Sequence, residues 1–592
     1  MGNGKRYRLG ELLVELGVID QGQLNRALEV QRKTGERLGT VLVRLGYARQ
    51  DDILRVLETQ LDIPRVDIDR YVVSPEVIGL VPESLARRHK VFPVELRDGA
   101  LTLAMADPLD VFAIDDVRIA AGYDIRPVIA AEGQILDAIA KYYGSKESIE
   151  DIVKVIEDVE VTAGAFGDDA DGGDDIATDK LRQMIDEAPV VRLVNTIIAQ
   201  GIRERASDIH IEPQERNVRI RYRVDGVLRD VLQAPRRLQA AIASRIKIMA
   251  NIDIAERRMP QDGRVQLRVE GEDVDLRVST LPTIYGEKVV ARVQRTRGSM
   301  PTIEELGFSA TSARLLRSAT SRPYGMILVT GPTGSGKTLT LYALLAELNS
   351  VEKNIVTVED PVEFRLPGIN QVQTNPRTGL TFAAGLRAIL RQDPDVVMVG
   401  EIRDRETADI AIRFALTGHL VLSTLHTNDA ASALVRLVEM GIEPFLVASS
   451  VSLVAGQRLV RLICPQCKER YDPGREIWER WAEFISPEYA APGHTAPGDM
   501  VPGDAADAIF YRGRGCPHCG NTGYYGRTAI EEIMSVNEAI RGLLVRGATA
   551  EEIRRAAVAS GMKSMAFAGA RKVMEGATTP EEVMRVCTGG GE

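Results

Sequence analysis

The stretch MILVTGPTGSGKT, residues 326–338, is the strongest indication of the fold of the C-terminal half of the chain. An apolar run that reads as a β-strand leads into a glycine-rich turn and then a helical pattern, the context that G-x4-G-K-[ST] requires for binding phosphates. The glycines let backbone N–H groups turn towards phosphate oxygens, and the helix N-terminus adds the positive end of its dipole. The predicted ATP site comprises Gly331, Pro332, Thr333, Gly334, Ser335, Gly336, Lys337 and Thr338.

Two residues of this loop have separate expected tasks. The Lys337 ammonium is expected to reach the β- and γ-phosphates, and the Thr338 hydroxyl is expected to bind Mg²⁺. A chance glycine-rich turn is the alternative, but it does not explain the strand before the loop or the helix after it. The predicted cofactor of this half is therefore ATP with Mg²⁺.

Two further apolar runs end in acidic residues. DVVMVGE, residues 395–401, ends in Glu401, where a carboxylate can hold the Mg²⁺ shell or its water. NIVTVEDPVE, residues 354–363, places Glu359 at the end of another strand pattern. Hydrolysis needs a group that orients or deprotonates water in line with the γ-phosphate. Glu359 is the favoured candidate for this role, and Glu401 is its competitor.

Two histidines flank a fourth apolar run, LTGHLVLSTLHTN, residues 416–428. A single histidine is more often structural than catalytic. Because His419 and His426 stand on either side of one strand beside a phosphate loop, we interpret them as γ-phosphate sensors or couplers.

Together these four blocks resemble the type II secretion and type IV pilus assembly ATPase family (GspE/PilB). The resemblance extends over about residues 5–590. It identifies the blocks as the Walker A, Asp box, Walker B and His box of a RecA-like P-loop ATPase core. It also implies a homohexamer that works with an inner-membrane platform protein and other components of a pilus or secretion machine.

The middle of the chain extends the resemblance to the second N-terminal, PAS-like domain of the family. It rests on ASDIHIEP (206–213), VRIRYRVDGVLRD (218–230), MPQDGR (259–264) and DLRVSTLPTIYGEKVVARV (275–293). By itself this arginine-rich pattern is also typical of a solvated strand face. The resemblance implies that four arginines approach the triphosphate: Arg277 and Arg292 from this domain, and Arg387 and Arg391 from the core.

Four of the five cysteines form two CxxC pairs. Four thiolates from two such knuckles make a closed tetrahedral Zn²⁺ site, which contributes to folding rather than to catalysis. Redox-active or buried thiols are the alternatives, and Cys587 stands alone. The predicted zinc ligands are Cys464, Cys467, Cys516 and Cys519.

The chain begins with a repeat. RLGELLVELG at residues 8–17 returns as RLGTVLVRLG at residues 37–46, and the motif RLGxxLxxxGxxxxxxLxxxLxxQ recurs with one change, Leu24 against Ile53. The tandem motif resembles the cyclic-di-GMP-binding N-terminal domain of some family members. A purely structural duplication that docks on the platform partner is the alternative. The resemblance implies a ligand set of Arg8, Leu9, Gly10, Gln31, Arg37, Leu38, Gly39 and Gln60.

These observations predict an α/β multidomain chain with five regions. They are a helical repeat subdomain (1–66), a small α/β subdomain (67–145), an acidic flexible linker (146–186), the PAS-like domain (187–300) and the ATPase domain (301–592) with a zinc insert at about 460–530.

Charge and hydropathy bound the partners and the location. The formal net charge is −10, whereas a chain that neutralises phosphate backbones usually carries a basic surface, so no nucleic acid is expected as partner. No apolar run of about 18 residues indicates a membrane span. We expect a cytoplasmic protein, peripheral at the inner face of the inner membrane through its partners only.

The leading prediction is a hexameric ATPase motor for pilus assembly or type II secretion that is regulated by cyclic-di-GMP. One alternative is a pilus-retraction motor, which shares the core but generally lacks the long N-terminal region and the zinc insert. The others are a nucleic-acid translocase on the same core and a catalytically silent scaffold.

Overall fold

The computed structural model describes residues 9–34, 38–61, 63–143, 188–269, 271–295, 300–489 and 509–588. Arg8, Arg37, the predicted linker at 146–186 and part of the zinc insert therefore lie outside the described residues. Contacts divide the chain into two compact units, Met1–Arg297 and Gly298–Glu592. Among the described residues, no helix combines the length and the apolar character that crossing a bilayer demands.

The tandem repeat folds into two matching helix pairs. Each pair turns at a glycine with a φ of +70°, Gly17 in the first and Gly46 in the second, because a left-handed helix end favours a residue without Cβ. Leu13 and Leu42 occupy equivalent, fully buried positions in the shared core. The helices are α1 Leu9–Glu15, α2 Gln21–Thr34, α3 Leu38–Arg44 and α4 Gln50–Leu61.

A small α/β subdomain follows the repeat. Its three-stranded sheet has the order β2-β3-β4, with β2 and β3 antiparallel and β3 and β4 parallel. Its elements are β1 Tyr71–Val72, α5 Pro75–Ile78, α6 Glu83–His89, β2 Val91–Arg97, β3 Ala100–Met105, α7 Val111–Ala121, β4 Asp124–Ile129 and α8 Glu132–Tyr142.

Six strands of the PAS-like region and β1 of the preceding subdomain form a seven-stranded sheet of order β1-β8-β9-β10-β5-β6-β7, in which β1 pairs with β8 in parallel. Strand β6 alternates buried apolar residues with polar ones, so that its arginines lie on the face opposite the core. The elements are α9 Ala188–Arg203, β5 Ala206–Pro213, β6 Asn217–Val224, β7 Val227–Pro235, α10 Gln239–Met249, β8 Gln261–Val269, β9 Glu272–Thr283 and β10 Gly286–Arg295.

The C-terminal unit is built on a second seven-stranded sheet. Its first half contains α11 Ala310–Thr320, β11 Gly325–Thr330, α12 Lys337–Leu348, β12 Ile355–Glu359, β13 Asn370–Gln373, α13 Phe382–Ile389, β14 Val396–Val399, α14 Arg405–Leu416, β15 Leu420–Leu425 and α15 Ala430–Glu439. Strands β11, β12, β14 and β15 are buried along their whole length, as central strands of a parallel sheet are.

The remaining elements complete the sheet and flank the two cysteine pairs. They are α16 Pro444–Ser450, β16 Val451–Ile463, β17 Lys468–Tyr471, α17 Gly474–Tyr489, β18 Phe510–Gly513, β19 Tyr524–Ser535, α18 Glu538–Val545, α19 Ala550–Ala559, α20 Met565–Met574 and α21 Pro580–Cys587. The sheet order is β13-β12-β14-β15-β11-β16-β19, parallel except for β19. The carboxyl ends of the parallel strands therefore meet at one edge, where α/β proteins bind their ligands.

Candidate functional site

The phosphate loop connects β11 to α12 at this edge. Gly331 has a φ of +152°, and a Cβ at this position would lie 2.3 Å from the carbonyl oxygen of Gln457 and 2.6 Å from the Ser335 hydroxyl. Only glycine fits there without displacing the backbone of β16. Gly336, with a φ of +86°, precedes the first residue of α12.

Lys337 is held inside the loop. Its Nζ donates hydrogen bonds to the carbonyl oxygens of Gly331 and Pro332 at 2.8 and 2.9 Å. Burial lowers the pKa of Lys337 to about 8, against the opposing effect of the Glu401 carboxylate. A buried ammonium that bonds only to neutral carbonyls is poorly neutralised, so it is suited to receive an anion.

The residues around Lys337 fit a bound triphosphate. The Ser335 hydroxyl is buried and has no hydrogen-bond partner within the described part of the chain, and such groups are normally satisfied. Thr338, half-buried, follows in the first turn of α12. Backbone N–H groups at this helix start, the ammonium and two hydroxyls are the donor set that a phosphate group and its Mg²⁺ require.

Glu401 comes two residues after the end of β14 and faces cationic or protonatable groups. Its carboxylate accepts a hydrogen bond from Arg403 Nη2 at 2.5 Å and lies 3.1 Å from His426 Nε2. Its side chain is 14% exposed, so it remains accessible from the edge of the sheet. Because Glu401 also acts on the pKa of Lys337, it belongs electrostatically to the phosphate loop.

Glu359 ends β12 and is more deeply enclosed, with 2% exposure. Its Oε1 accepts hydrogen bonds from Thr357 Oγ1 at 2.6 Å and Gln371 Nε2 at 3.1 Å. Its Oε2 accepts one from the hydroxyl of Tyr342. Three uncharged hydrogen-bond donors therefore offset the free-energy cost of burying this carboxylate.

Gly400 brings the two acidic strand ends together. A Cβ on Gly400 would lie 3.3 Å from the Val358 carbonyl oxygen and 3.4 Å from the Cα of Glu359. The Gly400 N–H donates to the same Val358 oxygen at 2.8 Å. The backbones that carry Glu359 and Glu401 therefore run in direct contact.

The two predicted histidines lie at opposite ends of β15. His426 follows the carboxyl end beside Glu401, whereas His419 precedes the amino end, where Leu420 pairs with Gly325 at the start of β11. The His419 ring packs edge-on against Phe414 at 5.2 Å between centroids. The structure thus brings His426, but not His419, to the phosphate-loop edge.

The two core arginines lie at the C-terminal end of α13. Arg387 is exposed and forms an ion pair with Glu406, and Arg391 Nη1 donates to the carbonyl oxygen of Arg387 at 2.8 Å. Within the described residues, neither arginine has a bond to the phosphate loop.

Arg277 and Arg292 belong to a row of arginines in the first unit. Arg264, Arg277 and Arg292 are cross-strand partners on β8, β9 and β10, so their side chains share one face of that sheet. Arg292 is 63% exposed and bonds to Asp208 at 3.1 Å. Among the residues that the structure describes, Arg277 makes no ion pair.

The four paired cysteines converge on one point. All four Sγ atoms lie within 4.8 Å of one another, and three of the separations are 3.7, 3.8 and 3.9 Å. A tetrahedral site with Zn–S bonds of about 2.3 Å needs S···S distances of about 3.8 Å, so the group fits zinc. The members are Cys464, Cys467, Cys516 and Cys519, whereas Cys587 lies apart in α21.

One thiol of this group receives additional backbone donors. Gly523 N–H and Cys516 N–H point at Cys519 Sγ, each at 3.3 Å. Burial alone would raise the pKa of Cys519, but these donors hold it at about 6. The Cys519 thiolate, the form that binds metal, is therefore favoured.

The glycines of the tandem repeat are structural as well as candidate ligand residues. A Cβ on Gly10 would lie 2.5 Å from Leu24, and one on Gly39 would lie 2.9 Å from Ile53. The one conservative difference between the motifs thus lies at the same helix contact in both copies. Of the other predicted ligand residues within the described chain, Leu9, Leu38 and Gln31 are half-buried and Gln60 is exposed.

Sequence reasoning missed the hydrogen-bond partners of the acids and of the loop. Thr330, the last residue of β11, bonds to the backbone of Thr427 in the His box at 3.1 and 3.2 Å. Thr357 stands two residues before Glu359 on one strand, a spacing that places both side chains on one face. Tyr342 gave no signal, because it reads as an apolar position of a helix.

Comparisons with known proteins agree with this architecture. The family described as type II/IV secretion system protein matches residues 183–585, and the MshEN domain matches residues 61–149. The chain is 46% identical over 580 residues to the type IV pilus assembly ATPase PilB of Myxococcus xanthus, and 43% identical over 585 residues to the type II secretion system protein E of Xanthomonas campestris. Each alignment covers 98% of both chains.

A solved structure described as "Structure of MshE with cdg" is 38% identical and covers 23% of this chain and 99% of its own, with a TM-score of 0.22.

Proposed function

The chain belongs to the type II/IV secretion system protein family, and from this premise we propose that it is the ATPase motor of a type IV pilus assembly or type II secretion machine. It is a P-loop ATP hydrolase with an MshEN domain. The observation that carries the proposal is the arrangement of Lys337, Glu401 and His426 at the carboxyl edge of the parallel sheet. The motor works as a homohexamer on the inner face of the inner membrane, with a platform protein as partner.

Each side chain of the nucleotide site has a proposed task. Lys337 binds the β- and γ-phosphates, and Thr338 holds Mg²⁺, which neutralises charge on the transferred phosphoryl group. Glu401 orients the metal's water shell, and His426 holds Glu401. Glu359 orients the attacking water.

Substitution of Lys337 tests the site. Lys337→Ala in the full chain is expected to lower ATP turnover by at least about 100-fold, because the loop loses its only side-chain cation directed at the phosphates. Lys353→Ala, an exposed lysine in the same unit, is the control and is expected to keep turnover. Unchanged turnover in Lys337→Ala overturns the site.

Arg277 and Arg292 are proposed as arginine fingers of the hexamer, which stabilise transition-state charge. Arg277→Ala and Arg292→Ala are each expected to lower kcat by at least about 10-fold, since such arginines contribute on the order of 10³–10⁵ where they act directly. Arg219→Ala is the matched control, because Arg219 lies in the same sheet but pairs with Asp230 at 2.8 Å. Equal loss in all three variants indicates a general effect on the sheet.

The tandem repeat is proposed to bind cyclic-di-GMP, with the eight residues of the motif as ligand set. Titration calorimetry on the full chain is expected to show binding that Arg8→Ala/Arg37→Ala removes, because arginine offers a bidentate fork to guanine. Arg26→Ala/Arg55→Ala is the matched control, since these two arginines share the 29-residue offset but lie outside the motif set. Absence of heat with the unmodified chain assigns the repeat to protein docking.

The cysteine group is proposed to bind structural zinc. Metal analysis of the purified chain is expected to give about one zinc per subunit. Cys519→Ser is expected to lose the metal and to lower the melting temperature, because metal binding contributes folding free energy. Cys587→Ser is the control, and full zinc content in Cys519→Ser contradicts the assignment.

One of the two similar proteins belongs to a pilus assembly machine and the other to a secretion machine. Deletion of the gene distinguishes these two possibilities for this chain. Loss of surface pili assigns the motor to pilus assembly, and loss of exported proteins assigns it to secretion. Complementation with Lys337→Ala is expected to restore neither.

A further inference from the structure

The Glu359 carboxylate is held by side chains from three elements: its own strand β12, the neighbouring strand β13 and the phosphate-loop helix α12. Thr357 lies on β12, Gln371 on β13 and Tyr342 on α12, one turn after Thr338. Together the three donors occupy both carboxylate oxygens. The direction of this side chain is therefore fixed by its neighbours rather than by solvent.

The phenol of Tyr342 has a defined role in this arrangement. The side chain is fully buried, and its oxygen accepts a hydrogen bond from the backbone N–H of Glu363 at 3.1 Å. Because the Glu363 N–H is a donor and the Glu359 carboxylate oxygen is an acceptor, the hydroxyl proton points to Glu359 Oε2. Burial and the neighbouring Glu359 carboxylate raise the pKa of Tyr342, so the phenol keeps its proton.

Gln371 is oriented just as firmly. Its Oε1 accepts from Leu366 N–H at 2.8 Å, and its Nε2 donates to the Phe364 carbonyl at 2.9 Å as well as to Glu359. The Tyr342 ring meets the Phe364 ring edge-on, at 6.1 Å between centroids. Tyr342 and Gln371 thus bind both the Glu359 carboxylate and the backbone of the segment that follows it.

We propose that Tyr342 is the positioning residue for Glu359: its hydroxyl fixes Oε2 so that the carboxylate orients water from one defined geometry. Thr357 and Gln371 restrain only Oε1, and a carboxylate held at one oxygen can still rotate. This inference rests on the proposed role of Glu359 in hydrolysis. It adds a residue of the phosphate-loop helix, four positions after Thr338, that no part of the sequence motif includes.

Tyr342→Phe in the full-length chain removes the hydroxyl and keeps the ring. We expect kcat for ATP to fall about 10- to 100-fold, the effect of one lost hydrogen bond to a charged group, with KM for ATP within about twofold of wild type, because the phosphate loop is unchanged. Tyr471→Phe is the matched control, since Tyr471 donates to the Glu581 carboxylate at 2.9 Å in the cysteine-bearing part of the unit. It removes the same kind of bond and is expected to leave kcat unchanged.

The outcomes separate this inference from the function on which it rests. Absence of turnover in the wild-type chain overturns the proposed function itself. Normal wild-type turnover with an unchanged kcat in Tyr342→Phe overturns the positioning role, and so does a rise of KM with kcat unchanged. If Tyr342→Phe is unfolded at the assay temperature, both proteins are assayed below its melting temperature, and there an unchanged kcat overturns the positioning role.

Discussion

Glu359 ends β12 and Glu401 follows the end of the neighbouring parallel strand β14, yet the structure surrounds the two carboxylates with different chemistry. Glu359 is 2% exposed and accepts only uncharged donors. Glu401 is 14% exposed at its side chain and faces an arginine, a histidine and, electrostatically, Lys337. In the sequence, both read as an apolar run followed by an acid.

The different surroundings of the two carboxylates suit them to different tasks. A carboxylate fixed by neutral donors keeps its orientation, as a group that orients water must. A carboxylate among cations contributes to the charge balance of the phosphates and the metal. We therefore propose that Glu359 orients water and that Glu401 balances charge, a division that substitutions at the two positions can test.

The largest effect is expected from Glu359→Gln. The amide keeps the shape but lacks the charge and the second acceptor oxygen that orient water, so kcat should fall by about 10²–10⁴-fold, with KM for ATP unchanged. Steady-state turnover at saturating Mg²⁺ measures this. If KM for ATP rises while kcat stays at the wild-type value, the proposed roles of the two acids are exchanged.

Glu401→Gln is expected to act mainly on binding. The Glu401 carboxylate raises the pKa of Lys337, so its removal leaves the ammonium more easily deprotonated. We therefore expect kcat/KM to fall about 10- to 100-fold, chiefly because KM for ATP and the Mg²⁺ concentration required both rise. Nucleotide titrations at several Mg²⁺ concentrations measure both. If kcat falls as far as in Glu359→Gln while KM stays, Glu401 is the group that activates water.

The pH dependence of ATP binding tests the charge balance between Lys337 and Glu401. Burial lowers the pKa of Lys337 to about 8, so the free protein loses this positive charge as the pH rises through 8. If ATP needs the charged form, the apparent Kd should rise about tenfold between pH 7 and pH 9. Lys337→Arg, whose guanidinium stays charged, is expected to bind with little pH dependence. A flat wild-type profile contradicts the lowered pKa.

Much of this site follows from the sequence, because its signals are local. The spacing of glycines and Lys337 predicts the strand, loop and helix, and the apolar runs place Glu359 and Glu401 at strand ends. The Tyr342–Glu359 bond could not be predicted, since it depends on how α12 packs on the sheet, which residues 17 positions apart do not reveal. The interpretation of His419 as a γ-phosphate sensor was avoidable. His419 precedes its strand in the sequence, so it lies at the amino end of β15, whereas the phosphate loop lies at the carboxyl edge of the parallel sheet.

The smallest effect is expected from substitution of the two histidines. These variants test whether His426, at the Glu401 end of β15, contributes to hydrolysis while His419, at the other end, does not. His426→Ala removes a partner of Glu401 at 3.1 Å, so kcat/KM should fall about fivefold, the effect of one hydrogen bond. His419→Ala removes only contacts at the amino end of β15, including the ring contact with Phe414. It should therefore lower the melting temperature while turnover stays at the wild-type level.

An equal loss of turnover in both variants would mean that the strand as a whole couples to hydrolysis. The distinction between the two ends of β15 would then fail, because a position remote from Glu401 would matter as much as its direct partner.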